Sequence, residues 1–265
     1  MKIKDKRIII TGASSGIGLG LSTVLARKGA HVVLVSRREK RLIEIANKLS
    51  RTYPNAPCPL PISCDVTKTE EVINLIKNCI HQLGGIDILI NNAGISVYGA
   101  TEKTSLEDFH QAMAVNFFGA VHCMLEVLPI MKQQGQGLIV NIASVAAKYG
   151  VPYLGAYSAS KSALVALSQT LSPEIAKSGI SIMIVYPGYT STNIFQEEKK
   201  LGGAHRPEGP YASVGKVAKA IVSAMEREKK ELVLSAQGKI LTMVQAFPDW
   251  LIKKKMQRIA EQLGE

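Results

Sequence analysis

The sequence lacks any uninterrupted apolar run of the roughly 20 residues that a membrane-spanning helix needs. Its first ten residues, MKIKDKRIII, hold too short an apolar stretch for a secretory signal and lead straight into a strand-like segment. The expectation is an intracellular, cytoplasmic protein. Cysteine is scarce, and Cys58, Cys64, Cys79 and Cys123 show no C-x-x-C spacing. That argues against a disulfide framework or a thiolate metal site, and for free, partly buried thiols in a reducing compartment. No other group has metal-ligand spacing, so no metal is expected. Acidic residues are too few to balance the chain: 21 Asp and Glu face 32 Lys and Arg, leaving a formal net charge of +11. Such an excess suits nucleic acid, an acidic membrane surface or a phosphorylated ligand. No nucleic-acid module is visible, nor a basic run interleaved with aromatics, so nucleic acid is not an expected partner. Lysines spread over solvated faces account for most of the excess.

What is present is a chain of 265 residues, 46% hydrophobic and 20% charged, suited to one large α/β domain. Chains of this size bury roughly three quarters of their unfolded surface. Residues 7–11 (RIIIT) are short and β-branched, as a buried strand should be. Gly12, Gly16 and Gly18 follow at once and open a helix. Glycines there let the backbone turn tightly and approach a pyrophosphate on the helix N-terminus, although such turns also occur without ligands. The next strand, HVVLVS (31–36), ends where dinucleotide-binding units carry an acid for the ribose hydroxyls. Here Ser36, Arg37 and Arg38 stand instead. An uncharged residue does not repel a 2′-phosphate and an arginine can pair with it, which favours NADP(H) over NAD(H). The alternative is that RREKR only starts the charged helix of 38–51.

Further strands are expected at 62–64, 86–90, 137–144, 180–188 and 231–235, with helices at 69–83, 106–133, from Tyr157 to about Lys177, and at 213–228. Asp65 stands where it would accept from an adenine amine or cap the coming helix, for which Thr67 and Thr69 are further N-cap candidates. NNAG (91–94) lies at a strand's carboxyl end, where open α/β sheets bind ligands, or else makes a plain turn. Asn116 falls inside an apolar helical stretch and must find partners there. Tyr157 and Lys161, four apart, share one helix face. An ammonium beside a phenol favours the phenolate and so assists proton exchange nearer neutral pH. Seven alternations of strand and helix predict a parallel, doubly wound sheet with right-handed crossovers.

With TGASSGIG at 11–18, NNAG at 91–94, Asn116, Ser144, YSASK at 157–161 and Pro187–Gly188, the chain resembles the short-chain dehydrogenase/reductase family over about residues 3–235. The resemblance implies a Rossmann-type sheet of seven strands in the order 3-2-1-4-5-6-7. It implies an NAD(P)-dependent oxidoreductase acting on a small carbonyl or secondary-alcohol substrate, with NADP(H) preferred and NAD(H) the alternative. Tyr157 is then the general acid or base. Lys161 lowers its pKa and holds the nicotinamide ribose, Ser144 binds the substrate oxygen, and Asn116 positions a water linking Lys161 to solvent. Gly12, Ser14, Ser15, Gly16, Ile17 and Gly18 line the pyrophosphate turn, and Ser36, Arg37 and Arg38 surround the adenosine ribose. Asp65 and Val66 sit at adenine, Asn92, Ala93 and Gly94 along the ribose, and Pro187, Gly188, Thr190 and Thr192 at the carboxamide. Many NADP-using members carry a basic residue where Ser15 stands, so the cofactor preference rests mainly on Arg37 and secondarily on Arg38. Homodimers or homotetramers are implied, joined through the helices near 105–133 and 155–177.

The whole chain (1–265) is expected to form one dinucleotide-binding domain. Its polar, Gly/Pro-rich loop (190–212) has the character of a substrate lid. Beyond it lies a helical extension (236–265) whose apolar face (Leu251, Ile252, Met256, Ile259) adjoins Lys253, Lys254, Lys255 and Arg258. That helix either packs on the lid or a partner subunit, or touches a membrane surface. Ile194, Phe195, Leu241, Met243 and Phe247 hint at an apolar, acyl-chain ketone as substrate. A catalytically silent dinucleotide sensor or scaffold is the alternative from another class.

Overall fold

A computed structural model describes residues 1–192, 199–201 and 211–235, together with residues 258 and 261, which are helical. The expected lid residues 193–198 and 202–210, with Ile194 and Phe195, lie outside the described residues. So do Leu241, Met243, Phe247, Leu251, Ile252, Lys253–Lys255, Met256 and Ile259 of the carboxy-terminal extension.

Seven parallel strands form the central sheet, in the order β3-β2-β1-β4-β6-β7-β9. They are β1 (Arg7–Thr11), β2 (His31–Ser36), β3 (Leu60–Ser63), β4 (Ile88–Asn91), β6 (Gly137–Ile142), β7 (Ile180–Tyr186) and β9 (Glu231–Val233). Counted without two short outlying strands, this is the expected Rossmann order. Helices α1 (Gly16–Arg27), α2 (Glu39–Thr52) and α7 (Val214–Glu226) cover one face. Helices α3 (Thr69–Leu83), α5 (Gly119–Gln134) and α6 (Gly155–Glu174) cover the other. Side chains alternate across a strand, so Ile8 and Ile10 enter the first core and Ile9 the second. Both faces are buried, which is why β1, β2 and β4 read as continuous apolar runs.

Three local expectations are corrected. The third strand begins at Leu60, not Ile62, and includes Pro61; it pairs only with β2, and an edge strand tolerates a residue without an N–H. The third helix is capped by neither Thr67 nor Thr69: Lys68 is its N-cap residue, and Thr67 turns back to Asp65. The long helix of 106–133 is three pieces, α4 (Leu106–Met113), a π-turn (Ala114–Phe118) and α5. By length and composition Leu106–Gln134 is also long and apolar enough to cross a membrane, which no single apolar run reveals. Glu107, Asp108, Glu126 and Lys132 interrupt it, while Cys123, Met124, Val127 and Met131 bury themselves in the second core. Leu106, Phe118 and Leu125 remain exposed.

Two strands were not foreseen. β5 (Val97–Gly99) pairs in parallel with β8 (Lys199–Leu201) beside the main sheet. A Cβ on Gly99 would stand 2.4 Å from the Leu201 carbonyl oxygen, so the pairing needs glycine there. Lys199 Nζ donates to both Asp108 carboxylate oxygens at 2.8 and 3.0 Å and fixes the pair to α4.

At the opposite, amino-terminal edge of the sheet, Asp87 accepts from the Arg7 backbone N–H (2.9 Å), Nε (2.8 Å) and Nη2 (3.0 Å). Burial opposes its charge, but these hydrogen bonds and the Arg7 charge outweigh that and hold the carboxyl below its usual range. A depressed carboxylate contributes stability above its unfolded pKa of about 4 and loses it as pH falls through the folded value. Asp87→Asn is therefore expected to cost about 2–3 kcal/mol at pH 7, and progressively less below about pH 4, in urea unfolding of both proteins across that range.

Candidate functional site

The carboxyl ends of β1, β4, β6 and β7 gather most of the sequence-selected residues. At β1, Gly12 and Gly16 take left-handed φ values of +66° and +52°, where a side chain is strained. A Cβ on Gly18 would stand 2.2 Å from the Gly12 carbonyl oxygen. Asn92 Nδ2 donates to the carbonyls of Thr11 (2.9 Å) and Gly12 (3.2 Å), and Thr11 Oγ1 accepts from the N–H groups of Asn92 (2.9 Å) and Ala93 (3.0 Å). NNAG is thus no plain turn: it clamps the glycine turn. Ser15 is the N-cap residue of α1, Ile17 is partly buried in its first turn, and Thr192 packs against Gly16.

The two arginines after β2 separate. Arg38 folds back on the turn, donating from Nη2 to Ser14 Oγ (2.9 Å) and Ser15 Oγ (3.1 Å), and its backbone N–H bonds Ser36 Oγ at 3.1 Å. Arg37 is 68% exposed and reaches Asp65 at 4.0 Å. Of the two, Arg38 stands over the glycine turn and Arg37 beside Asp65. Asp65 Oδ1 accepts from Thr67 N (3.0 Å) and Oγ1 (2.8 Å). Burial opposes the Asp65 charge, yet the Thr67 bonds and Arg37 hold the carboxyl below its ordinary value. Val66 packs under Gly119 of α5, and His122 Nδ1 lies 2.9 Å from the Val66 carbonyl oxygen.

The opposite wall is α6. Lys161 is 4% exposed, its Nζ donates to the Ile142 carbonyl at 2.8 Å, and it lies 6.0 Å from the Tyr157 ring centroid. Burial lowers its pKa to about 8. Asn116, in the π-turn, finds its partners outside its own helix. Its Oδ1 accepts from Ile95 N (2.8 Å), and its Nδ2 donates to Ile95 O (3.0 Å) and Ser160 Oγ (2.9 Å). Ser160 Oγ donates onward to the Tyr157 carbonyl at 2.8 Å. Irregular π-turns recur at functional sites, and this one aims Asn116 between β4 and α6. A Cβ on Gly94 would stand 3.1 Å from Asn116 Oδ1 and 3.4 Å from Lys161 Nζ, so glycine keeps that approach open.

Ser144 caps a short 3₁₀ turn, its Oγ accepting from Ala146 N at 3.2 Å, and Val145 N donates to the Pro187 carbonyl at 3.0 Å. The Ser144 loop and the Pro187–Gly188 corner are thereby joined. Lys148 reinforces the joint, lying 4.1 Å over the Tyr186 ring and 3.2 Å from Glu231. Thr190 is buried, donating to the Gly188 carbonyl at 3.0 Å, and Ser235 packs on Gly188. Sequence reading missed Ser160, His122, Lys148 and Ser235. Only Ser160 left a signal, since the buried amide of Asn116 demanded a partner on the facing helix.

A lysine whose folded pKa is depressed costs stability while charged, and that cost is relieved as pH rises through about 8 toward its unfolded value near 10.5. Lys161→Met, which keeps the apolar stem, is expected to unfold at higher urea, by about 1–3 kcal/mol at pH 7, the difference narrowing by pH 10.

Residues 6–201 match the family model described as short chain dehydrogenase. Dehydrogenase/reductase SDR family member 7B of Danio rerio is 34% identical over 244 residues, covering 89% of this chain and 79% of that protein. An alcohol dehydrogenase from Thermococcus sibiricus, solved with 5-hydroxy-NADP, superposes with TM-score 0.76 at 28% identity, over 87% of this chain and 96% of that one. A 3-ketoacyl-(acyl-carrier-protein) reductase from Brucella melitensis, complexed with NADH, gives TM-score 0.77 at 25% identity over the same shares of the two chains, 87% and 96%. With that family model matching most of its length, this chain belongs to the short-chain dehydrogenase family.

Proposed function

We propose that the chain is an NADP(H)-dependent oxidoreductase that interconverts a carbonyl and a secondary alcohol, with Tyr157 as the general acid or base. One observation carries the reading: Lys161 is buried one helical turn from Tyr157, and its Nζ and Asn116 Oδ1 both converge on Gly94. A cationic neighbour favours the phenolate, so Tyr157 gives up and regains a proton nearer neutral pH. Asn116 and Lys161 flank the path by which that proton is replaced, and the Ser144 hydroxyl binds the substrate oxygen.

The residues fit a nicotinamide dinucleotide by the chemistry of their donors. Arg38, with the hydroxyls of Ser14, Ser15 and Ser36, forms a phosphate-binding set beside the glycine turn. Asp65, whose Oδ1 is taken by Thr67 and whose Oδ2 lies 4.0 Å from Arg37, would accept from an adenine amine through Oδ2. Pro187, Gly188, Thr190 and Thr192 would hold the carboxamide end, and Asn92, Ala93 and Gly94 the ribose. When bound, the cofactor supplies the hydride. A homodimer or homotetramer would cover Leu106, Phe118 and Leu125 of the α4–α5 face. Likeness to a 3-ketoacyl reductase supports a second reading of the substrate, an acyl-chain ketone.

Tyr157→Phe is expected to lower turnover about 10²–10⁴-fold while NADPH binding, read by nicotinamide fluorescence, stays within twofold. Full activity in that variant rejects the catalytic role. Arg38→Ala is expected to weaken NADPH roughly tenfold or more and leave NADH nearly unchanged; equal losses reject the selectivity argument. In a panel of simple ketones and β-ketoacyl thioesters followed by NADPH absorbance, the preferred class identifies the substrate. Tight binding without turnover on any member would support a silent sensor instead.

A further inference from the structure

His122 stands apart from the residues that face the reaction, yet it touches the turn at Asp65–Val66. Its Nδ1 is 2.9 Å from the Val66 carbonyl oxygen, which can only accept, so Nδ1 carries the proton and donates. Gly119, one turn earlier on α5, has no room for a side chain, since a Cβ there would stand 2.6 Å from Val66 Cγ2 and 3.5 Å from the Val66 carbonyl oxygen. The helix therefore seats directly on Val66 and grips its carbonyl. The turn is held on its other sides as well: Glu71 Oε2 accepts from Asp65 N at 2.7 Å, and Asp65 Oδ1 accepts from Thr67. The second carboxylate oxygen, Asp65 Oδ2, lies 4.0 Å from Arg37 Nη1.

We infer that His122 is a positioning residue for adenine recognition, fixing the Val66 peptide from behind so that the Asp65–Val66 edge is preformed for an adenine ring. The inference rests on the reading that this cleft takes a nicotinamide dinucleotide. Preorganisation of this kind acts on affinity for the part of the ligand that meets the fixed edge and leaves the remote part untouched. His122 belongs to α5, which follows the π-turn that carries Asn116, and its hydrogen bond is to the Val66 carbonyl.

The test uses direct titration of the whole protein with NADPH and with reduced nicotinamide mononucleotide, which lacks the adenosine half, both read by nicotinamide fluorescence. His122→Leu removes the donor while filling the space. It is expected to weaken NADPH about three- to tenfold, the factor that one net hydrogen bond represents, and to leave the mononucleotide unchanged. His122→Asn, whose amide nitrogen overlies Nδ1, is expected to restore NADPH binding to within twofold of wild type. Unchanged NADPH affinity in His122→Leu overturns the inference. So does an equal loss for both ligands, which would mark general damage, and so does an Asn variant as weak as the Leu variant. Failure of the wild-type protein to bind NADPH or NADH would instead bring down the dinucleotide reading, and this inference with it.

Discussion

The site depends on burying one ammonium. Lys161 is 4% exposed, and among the described residues no carboxylate pairs with it; its partner is the Ile142 carbonyl. Such a group costs stability, as its lowered pKa records. The surroundings make the burial tolerable. Gly94 lets the backbone pass within contact distance, β6 offers a carbonyl from its end, and α6 holds the lysine one turn from Tyr157. A protein selected only for stability would place an apolar side chain there. Retaining the charge is consistent with the proton exchange proposed for Tyr157.

Around that charge the structure is a set of cross-ties between strand ends. Thr11 and Asn92 tie β1 to β4, Val145 and Pro187 tie β6 to β7, and Asn116 and Ser160 tie the π-turn to α6. Each tie is a hydrogen bond between backbone or small polar groups, made where the sheet stops supplying its own. The cleft wall is thus tied together by hydrogen bonds. The two apolar layers beneath, one under α1, α2 and α7 and one under α3, α5 and α6, set the sheet edge on which those ties sit.

Much of this was legible in sequence because it is periodic or local. Continuous apolar strands announce a sheet covered on both faces, and the four-residue step from Tyr157 to Lys161 follows from helix geometry. The glycine turn after β1 is a backbone requirement of its immediate neighbourhood. Errors fell where a contact that the apolar pattern does not record, near or distant in sequence, overrode the expected local structure. Pro61 enters β3 because that strand lies at an edge, Thr67 turns to Asp65 instead of capping α3, and the π-turn interrupts a helix whose apolar pattern looks unbroken. The β5–β8 pair joins segments about a hundred residues apart, and three-residue strands leave no periodic trace.

The sequence by itself determined the fold class, the strand order through the family pattern, and the residue types at the cleft. Each of those is written in spacing along the chain. Tertiary structure decided which arginine meets the glycine turn. Arg37 and Arg38 are adjacent and chemically identical, and only the direction in which β2 ends turns one toward Ser14 and Ser15 and the other toward Asp65. It also decided what Asn116 bonds and what His122 grips, because a hydrogen bond between α5 and a turn 56 residues earlier depends on packing that no local pattern records.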